Sequence, residues 1–364
     1  MSILHKITLA TFFGASAIAA PPAAPPPVER DPAGQPFATS SIWNTPLGLG
    51  AIFQAGSDPE TAMLRNENTG GPGASYAWID SDSIGIYPAD TGDSEALWSF
   101  DTRSATAPWP EGGPIQNGVI SFPTPSNVTF GGVDRYSIVI LPDGKTAYEV
   151  WKGAATGDGG YHTRYIVRTD LTGPGIASGD HRSEGIRAAG MSLLGGLIRC
   201  AELANGDIPH GIAMVLSTAQ LRAGATVDSQ KVWPASTTDH DGQNAYAGLV
   251  PMGALIAIPP SVRLDDLSLS AEGLALARAF QQFGGYVVDT AGKTMSIATT
   301  EKGCPATAIT HLQQDKRTIL KRLALVTNNS SAEPGGPGDR IVPPPPQLAG
   351  EIDGTAPGSG NPQW

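Results

Sequence analysis

Apolar and polar positions alternate most clearly along "YSIVILPDGKTAYEVWKG", residues 136–153. Two β-rich runs flank Leu141-Pro142-Asp143-Gly144, a turn with Pro at its second position and Gly at its end, so a hairpin is predicted. In the return strand the period of two places Ala147, Glu149 and Trp151 on one face and Tyr148 and Val150 on the other. "IPHGIAMVLS" (208–217) reads as a further strand, with His210 on the face of Ile212, Met214 and Leu216. "GALIAIPPSV" (253–262) reads as a third, stopped by Pro259-Pro260. A helical period replaces the strand period twice. "SAEGLALARAFQQFGG" has Ser270 as N-cap, Glu272 in the first turn, a stripe of Leu276, Phe280 and Phe283, and Gly284 as a stop. "ITHLQQDKRTILKRLALV" repeats Ile309, Leu312, Ile319 and Leu323, with Lys321 and Arg322 towards its C-terminus. The pattern predicts a mainly β fold, a β-sandwich or jelly-roll-like single domain with two edge helices.

Composition sets the limits of that domain. The 364 residues include 45 Gly and 32 Pro, and only 16% are charged, which suits a loop-rich β protein better than a helical bundle. An apolar run from Ile7 to Ile18 follows His5 and Lys6 and ends on Ala17-Ile18-Ala19, the pattern of a secretory signal over residues 1–19. Residues 20–36 read as a Pro-rich linker, 37–331 as the functional domain, and 332–364 as a disordered Pro/Gly-rich tail. A secreted, extracellular chain is therefore expected. Asn127-Val128-Thr129 and Asn328-Asn329-Ser330 are sequons that such a chain could carry glycosylated. Cys200 and Cys304 are an even count in an oxidising compartment, so a disulfide is expected, with two buried free thiols as the alternative.

With 23 basic against 34 acidic residues the net charge is −11, which argues against a nucleic-acid partner and mildly against a strongly anionic substrate. No later stretch is long and apolar enough to span a membrane. The sequence lacks GxSxG, a P-loop, HExxH, CxxC and a dinucleotide fingerprint, and its six histidines are scattered, so no metal and no cofactor are expected. "DHDG" (239–242) and "GDHRSE" (179–184) sit among Gly, Ser and Thr and read as solvated loops without ligand spacing.

Carboxylates near aromatics remain. Glu149 lies on the strand face of Trp151, and sugar chemistry uses paired carboxylates together with flat apolar rings. "GGLIRCAELANGDIPHGIAM" (195–214) is the second candidate, because Arg199, Glu202 and His210 interrupt an apolar run. Either the three satisfy one another in a structural network or they line a site. At three-residue spacing Arg199 and Glu202 would face each other on a helical turn, and Glu202 could orient His210.

"AAGMSLLGGLIRCAELANGDIPHGIAMVL", followed by "VWPAS", "VPMGALIAIPPSVRL" and "LALARAFQQFGGYVVDTAG", resembles a broad, largely uncharacterised group of secreted microbial proteins. Their pattern runs AGLPLLAGLIRxxELxxGxIxHAL, PAxxxD, PxG and YGxxVxD, with an early IWNTP and a YE pair, here Tyr148-Glu149. Arg199, Glu202, Gly206, His210, Pro234 and Glu149 match it; Ser192 stands for its usual Pro and Gly211 for its usual Ala. The resemblance spans roughly Ser41 to Asn328 and implies kinship rather than an activity. The expectation drawn from the residues is a secreted glycoside hydrolase acting on a polysaccharide or oligosaccharide. Glu149 and Glu202 would be its carboxylates, Arg199 and His210 would position them, and Trp151, Trp233 and Asp239 would bind substrate. A polysaccharide lyase using Arg199 and His210 or a Tyr, and a non-catalytic sugar-binding or cell-wall protein, are the alternatives.

Overall fold

The structure is a computed structural model that describes residues 30–67, 76–79, 83–105, 109, 113–177, 185–292, 294–348 and 351. The expected signal, linker residues 20–29, the "GDHRSE" stretch and the end of the tail lie outside them.

In chain order, helix α1 (Pro59–Arg65) is followed by β1 (Tyr76–Trp78), β2 (Gly85–Pro88), β3 (Glu95–Arg103) and β4 (Gln116–Pro123). The predicted hairpin forms β5 (Ser137–Ile140) and β6 (Thr146–Trp151); β7 (Ala154–Ala155) and β8 (Tyr161–Asp170) come next. Then follow α2 (Cys200–Asn205), β9 (Ile212–Leu216), α3 (Val227–Gln230), α4 (Gly242–Ala245) and β10 (Leu255–Ala257). The chain continues with α5 (Ala271–Gln282), β11 (Gly285–Thr290), β12 (Thr294–Ser296), α6 (Ala306–Leu320) and β13 (Ala324–Leu325).

These strands build two mixed sheets. One runs β1-β12-β9-β11-β10-β13; the other runs β2-β5-β6-β8-β3-β4, with β7 paired to β8. The fold is mainly β within one domain. It departs from an antiparallel jelly roll, because β1 with β12, β2 with β5, β3 with β8 and β9 with β11 all pair in parallel. The two predicted helices are present as α5 and α6, but four shorter ones join them, so the expectation of two was an undercount.

Local chemistry explains the elements that matter for the site. Gly144 adopts φ +65° and donates its N–H to Leu141 O, while the Asp143 carboxylate accepts from Lys145 N, Thr146 N and Thr146 Oγ1, which closes the β5–β6 turn. Ser270 Oγ caps α5 by accepting from Gly273 N at 3.0 Å, and Gly284 at φ +76° ends it. Leu276, Phe280 and Phe283 are all buried, as the helical stripe predicts.

Strand β6 is buried on both faces. Ala147 joins the main core, which also holds Ile138, Ile212, Met214 and Leu276; Tyr148 and Val150 join a separate aromatic cluster with Trp98, Phe122 and Tyr161. In that cluster Trp98 stacks on Tyr161 at 4.3 Å and Phe122 on Tyr148 at 4.1 Å between ring centroids.

The tail is not without a fold of its own over its first part. Ile341 N donates to Leu47 O, Leu49 N to Asp339 O and Gly50 N to Pro337 O, and Arg340 Nη1 reaches Pro46 O, Pro334 O and Gly336 O. Glu351 accepts from Thr39 N at 2.6 Å and lies 3.6 Å from Arg30 Nη2, with both of those side chains buried. Residues on both sides of the expected 37–331 domain therefore make contacts with it. The described residues that contact the domain include Arg30 on one side and residues 334–341 and Glu351 on the other. Cys200 and Cys304 form the expected disulfide, closing a separation of 104 residues and joining α2 to the start of α6. No helix among the described residues is long and apolar enough to cross a membrane.

Candidate functional site

The polar trio satisfies itself. Arg199 is the N-cap of α2, and Glu202 Oε2 accepts its backbone N–H at 2.7 Å. The expected side-chain pair between Arg199 and Glu202 does not form. The Arg199 guanidinium instead turns inward to Leu197 O at 2.7 Å and Ala33 O at 3.2 Å. His210 Nδ1 donates to Gly211 O at 2.7 Å, and its Nε2 lies 3.0 Å from Glu202 Oε1. Both ring nitrogens of His210 therefore have a partner. Burial lowers the Arg199 pKa, with Glu202 opposing the shift. Gly34, Gln35 and Pro36 close over the group, leaving a cavity of about 10 Å³, room for one water and not for a sugar ring.

Glu149 is equally closed. Its side chain faces the core, not solvent, and accepts from Thr169 Oγ1 at 2.8 Å, from Leu193 N at 2.8 Å and from Ser192 Oγ. Burial pushes its carboxyl above the ordinary value against those bonds. The sheet alternation assigned the correct face, but that face is covered by the loop through Ser192 and Leu193. Glu149 and Glu202 therefore share no partner and are not the paired carboxylates expected of them. Trp151 is half-buried, and its indole N–H donates to Asp134 Oδ1 at 2.9 Å; Trp233 is half-buried against the core. Asn127 is exposed on a turn, whereas Asn328 is fixed by Ile52 N and Gly50 O.

Asp239 is the candidate that the fold places among other reactive groups. Ala189 N donates to Val288 O at 2.9 Å and Ser236 N to Ala189 O at 3.0 Å, so one loop docks on β11 and a second docks on the first. The first carries Arg187 in a tight turn in which Gly190, at φ +75°, donates to Arg187 O. The second carries Asp239. At the end of β11 a bulge between Val287 and Asp289 re-aims the strand and places Asp289, 8% exposed, beside Arg187. Arg187 Nη1 stands 3.6 Å from Asp289 Oδ2, and its guanidinium lies 5.6 Å over the ring of Tyr136. Tyr246, just beyond α4, turns its hydroxyl back onto Asp239 Oδ2 and accepts from Asp239 N at 3.3 Å. Asp134 completes the group, held by Trp151 and by Lys152 Nζ at 2.9 Å.

Electrostatics divides these carboxyls. Burial, with Asp239 and Asp134 nearby and Arg187 opposing them, pushes Asp289 up to about 7. Burial also raises Asp239, against the hydrogen bond from Tyr246 and with the Asp241 charge adding to it. Burial acts upward on Asp134 too, but hydrogen bonds from Lys152 and Trp151 outweigh it and hold that carboxyl below its ordinary value. The Tyr246 hydroxyl is pushed up by burial and by Asp239. Asp289 thus feels the charge of Asp239 as well as its own burial, so its titration belongs to the cluster.

The chain matches no protein-family model, no curated protein and no solved structure. Chemistry at the site carries the functional reading alone.

Sequence reasoning named Asp239 and missed Asp289, Arg187, Asp134 and Tyr246. Asp289 closes the "FGGYVVD" block, and its place at the end of an apolar strand was the available signal. Arg187, Asp134 and Tyr246 come from three separate loops and carry no shared motif. No cluster of three His, Cys, Asp or Glu groups with metal-holding geometry occurs among the described residues. A larger cavity of about 310 Å³, lined by Leu97, Phe100, Gly113, Pro114, Val119, Ile120 and Ser121, lies on β3 and β4 and contains no titratable side chain.

Proposed function

We propose that this chain is a secreted carbohydrate-active hydrolase that cleaves an extracellular polysaccharide through Asp239 and Asp289. The observation that carries the reading is the cluster itself: Asp289 stands beside Arg187, Asp239 is held by the Tyr246 hydroxyl, and burial raises both carboxyls, Asp289 to about 7. Asp289 acts as the general acid, protonating the leaving glycosidic oxygen. Asp239, aligned by the Tyr246 hydroxyl, acts as base or nucleophile. Arg187 steadies the charge that remains on Asp289 once its proton is given up.

Elimination fits these groups less well, since its base would be Tyr246, and the environment of Tyr246 opposes loss of its proton. A binding-only protein has no use for a carboxyl raised to about 7. Incubation of the full secreted chain with a polysaccharide panel separates the three readings. New reducing ends without the ultraviolet absorbance of an unsaturated uronate support hydrolysis; that absorbance means elimination; binding without either product means a non-catalytic protein.

A further inference from the structure

One face of β3 and β8 carries a serine, a histidine and an aspartate in hydrogen-bonding order. Trp98 and Phe100 of β3 turn into the aromatic cluster, so the period of two turns Leu97, Ser99 and Asp101 to the opposite face. Strand β8 runs parallel to β3, and its register sets His162 directly beside Ser99. Ser99 Oγ lies 3.0 Å from His162 Nδ1, and His162 Nε2 lies 3.4 Å from Asp101 Oδ1. The group is open to solvent: the His162 side chain is 42% and that of Asp101 51% exposed. None of the three belongs to the Asp239–Asp289 cluster.

The order of the three groups gives each a role. The Asp101 carboxylate favours the imidazole tautomer with its proton on Nε2, which leaves Nδ1 as an acceptor towards Ser99. The Ser99 hydroxyl then has two acceptors within reach, His162 Nδ1 and, at 3.2 Å, Tyr161 O. A hydroxyl on a base that a carboxylate orients is the arrangement of an activated nucleophile, whichever ring nitrogen serves as base. There is also room for a substrate. Val119 of β4 is the cross-strand partner of Ser99, Leu97 and Val119 are 61% and 60% exposed, and the cavity of about 310 Å³ on β3 and β4 opens against both. An apolar wall beside the hydroxyl suits a short acyl chain.

We propose that Ser99 is the nucleophile of an ester-cleaving site, with His162 as its base and Asp101 as the positioning residue, acting on esters of short-chain fatty acids. Ser99 Oγ attacks the acyl carbon, and its proton passes to His162 Nδ1. The bond from that carbon to the alcohol oxygen then breaks, and the alcohol leaves with the proton from Nδ1. Water attacks the acyl-serine in the same way, giving one proton to Nδ1; the acid departs and Ser99 Oγ takes that proton back. Strand β3 lies between β4 and β8, so its main-chain N–H groups lie in the plane of the sheet and not above Ser99. Charge on the acyl oxygen is met by water and by Arg164, 63% exposed on the same face and 3.9 Å from Asp101. Turnover is therefore slow, and the acyl-serine is the species to catch.

The test treats the full chain with a fluorophosphonate, which forms an Oγ–P bond and expels fluoride, and in parallel with p-nitrophenyl acetate. Peptide mass spectrometry should locate the phosphonate on Ser99, and Ser99→Ala should lose it. His162→Gln keeps a hydrogen-bonding side chain but no base, and should slow both labelling and nitrophenol release about 10²–10⁴-fold. Asp101→Asn should lower kcat with KM unchanged. No adduct on Ser99 in wild type overturns the inference, as does labelling of His162→Gln within about twofold of wild type or an unchanged kcat in Asp101→Asn. If Ser99→Ala does not fold, the position of the adduct in wild type still decides. Whether any glycan is cleaved has no bearing on this result, so the hydrolase reading stands or falls separately.

Discussion

Replacing Asp289 by Asn should change how stability depends on pH, and the size of the effect follows from the site. The Asp289 carboxyl titrates at about 7 in the folded chain against an ordinary value of 3.8. Between those two values the native state holds a proton that the unfolded chain has released. Wild-type stability should therefore fall as pH rises from about 4 to about 7 and level off above that. Each pH unit of that interval is worth about 1.4 kcal/mol, so the interval is worth about 4 kcal/mol, a large share of the roughly 5–15 kcal/mol typical of a folded domain. Asp239 is raised in the same direction and Arg187 opposes, so the measured interval belongs to the cluster as a unit. Glu149 is also raised, but it is present in both proteins and cancels in their difference. Urea unfolding at half-unit pH steps, on wild type and Asp289→Asn, measures the effect. The asparagine variant should gain steadily on wild type up to about pH 7. Parallel curves would refute the assignment of a retained proton to Asp289.

Glu202→Ala should lower the unfolding free energy by about 2 kcal/mol, through loss of the α2 cap and of the His210 partner, while leaving glycan hydrolysis in place; loss of hydrolysis at unchanged stability would restore the trio as a site. In a eukaryotic secretory host, peptide mapping should find glycan on Asn127 and none on Asn328, whose Nδ2 is already donating to Gly50 O at 2.9 Å; glycan on Asn328 would contradict the packing of that loop. Ending the chain at Ser331 should lower the melting temperature by several degrees, because Arg340, Ile341 and Glu351 lose their contacts with Pro46, Leu47 and Arg30. An unchanged melting temperature would mean that the tail contributes nothing.

What the sequence made legible was local. Pro142-Asp143-Gly144 announced the β5–β6 turn, Ser270 and Gly284 bracketed α5, and the alternation in β6 assigned Glu149 to its face. The alternation could not say what covers that face, and Ser192 and Leu193 arrive from 43 and 44 residues away in the chain. Parallel pairings such as β1 with β12 and β3 with β8 join distant segments, and no local period records them. The tail deceived because composition measures apolar burial, whereas backbone carbonyls and the positive-φ glycines 335, 336 and 338 hold it in place. The reactive cluster was least visible. Asp134, Arg187, Asp239 and Asp289 each sit in an ordinary loop or strand end, and only tertiary packing, such as the stacking of the Ser236 loop on the Ala189 loop and of that loop on β11, brings them together.

The most direct test of that chemistry is the initial rate of reducing-end release by Asp239→Asn against wild type, compared at equal folded fraction on the glycan that wild type cleaves best. The amide can still accept from Tyr246, so the fold should hold while the base is lost. A positioned acid or base contributes about 10²–10⁴-fold, and the rate should fall by that factor. A rate within about twofold of wild type, well short of that factor, would show that Asp239 is not part of the machinery and that the paired-carboxyl account is wrong.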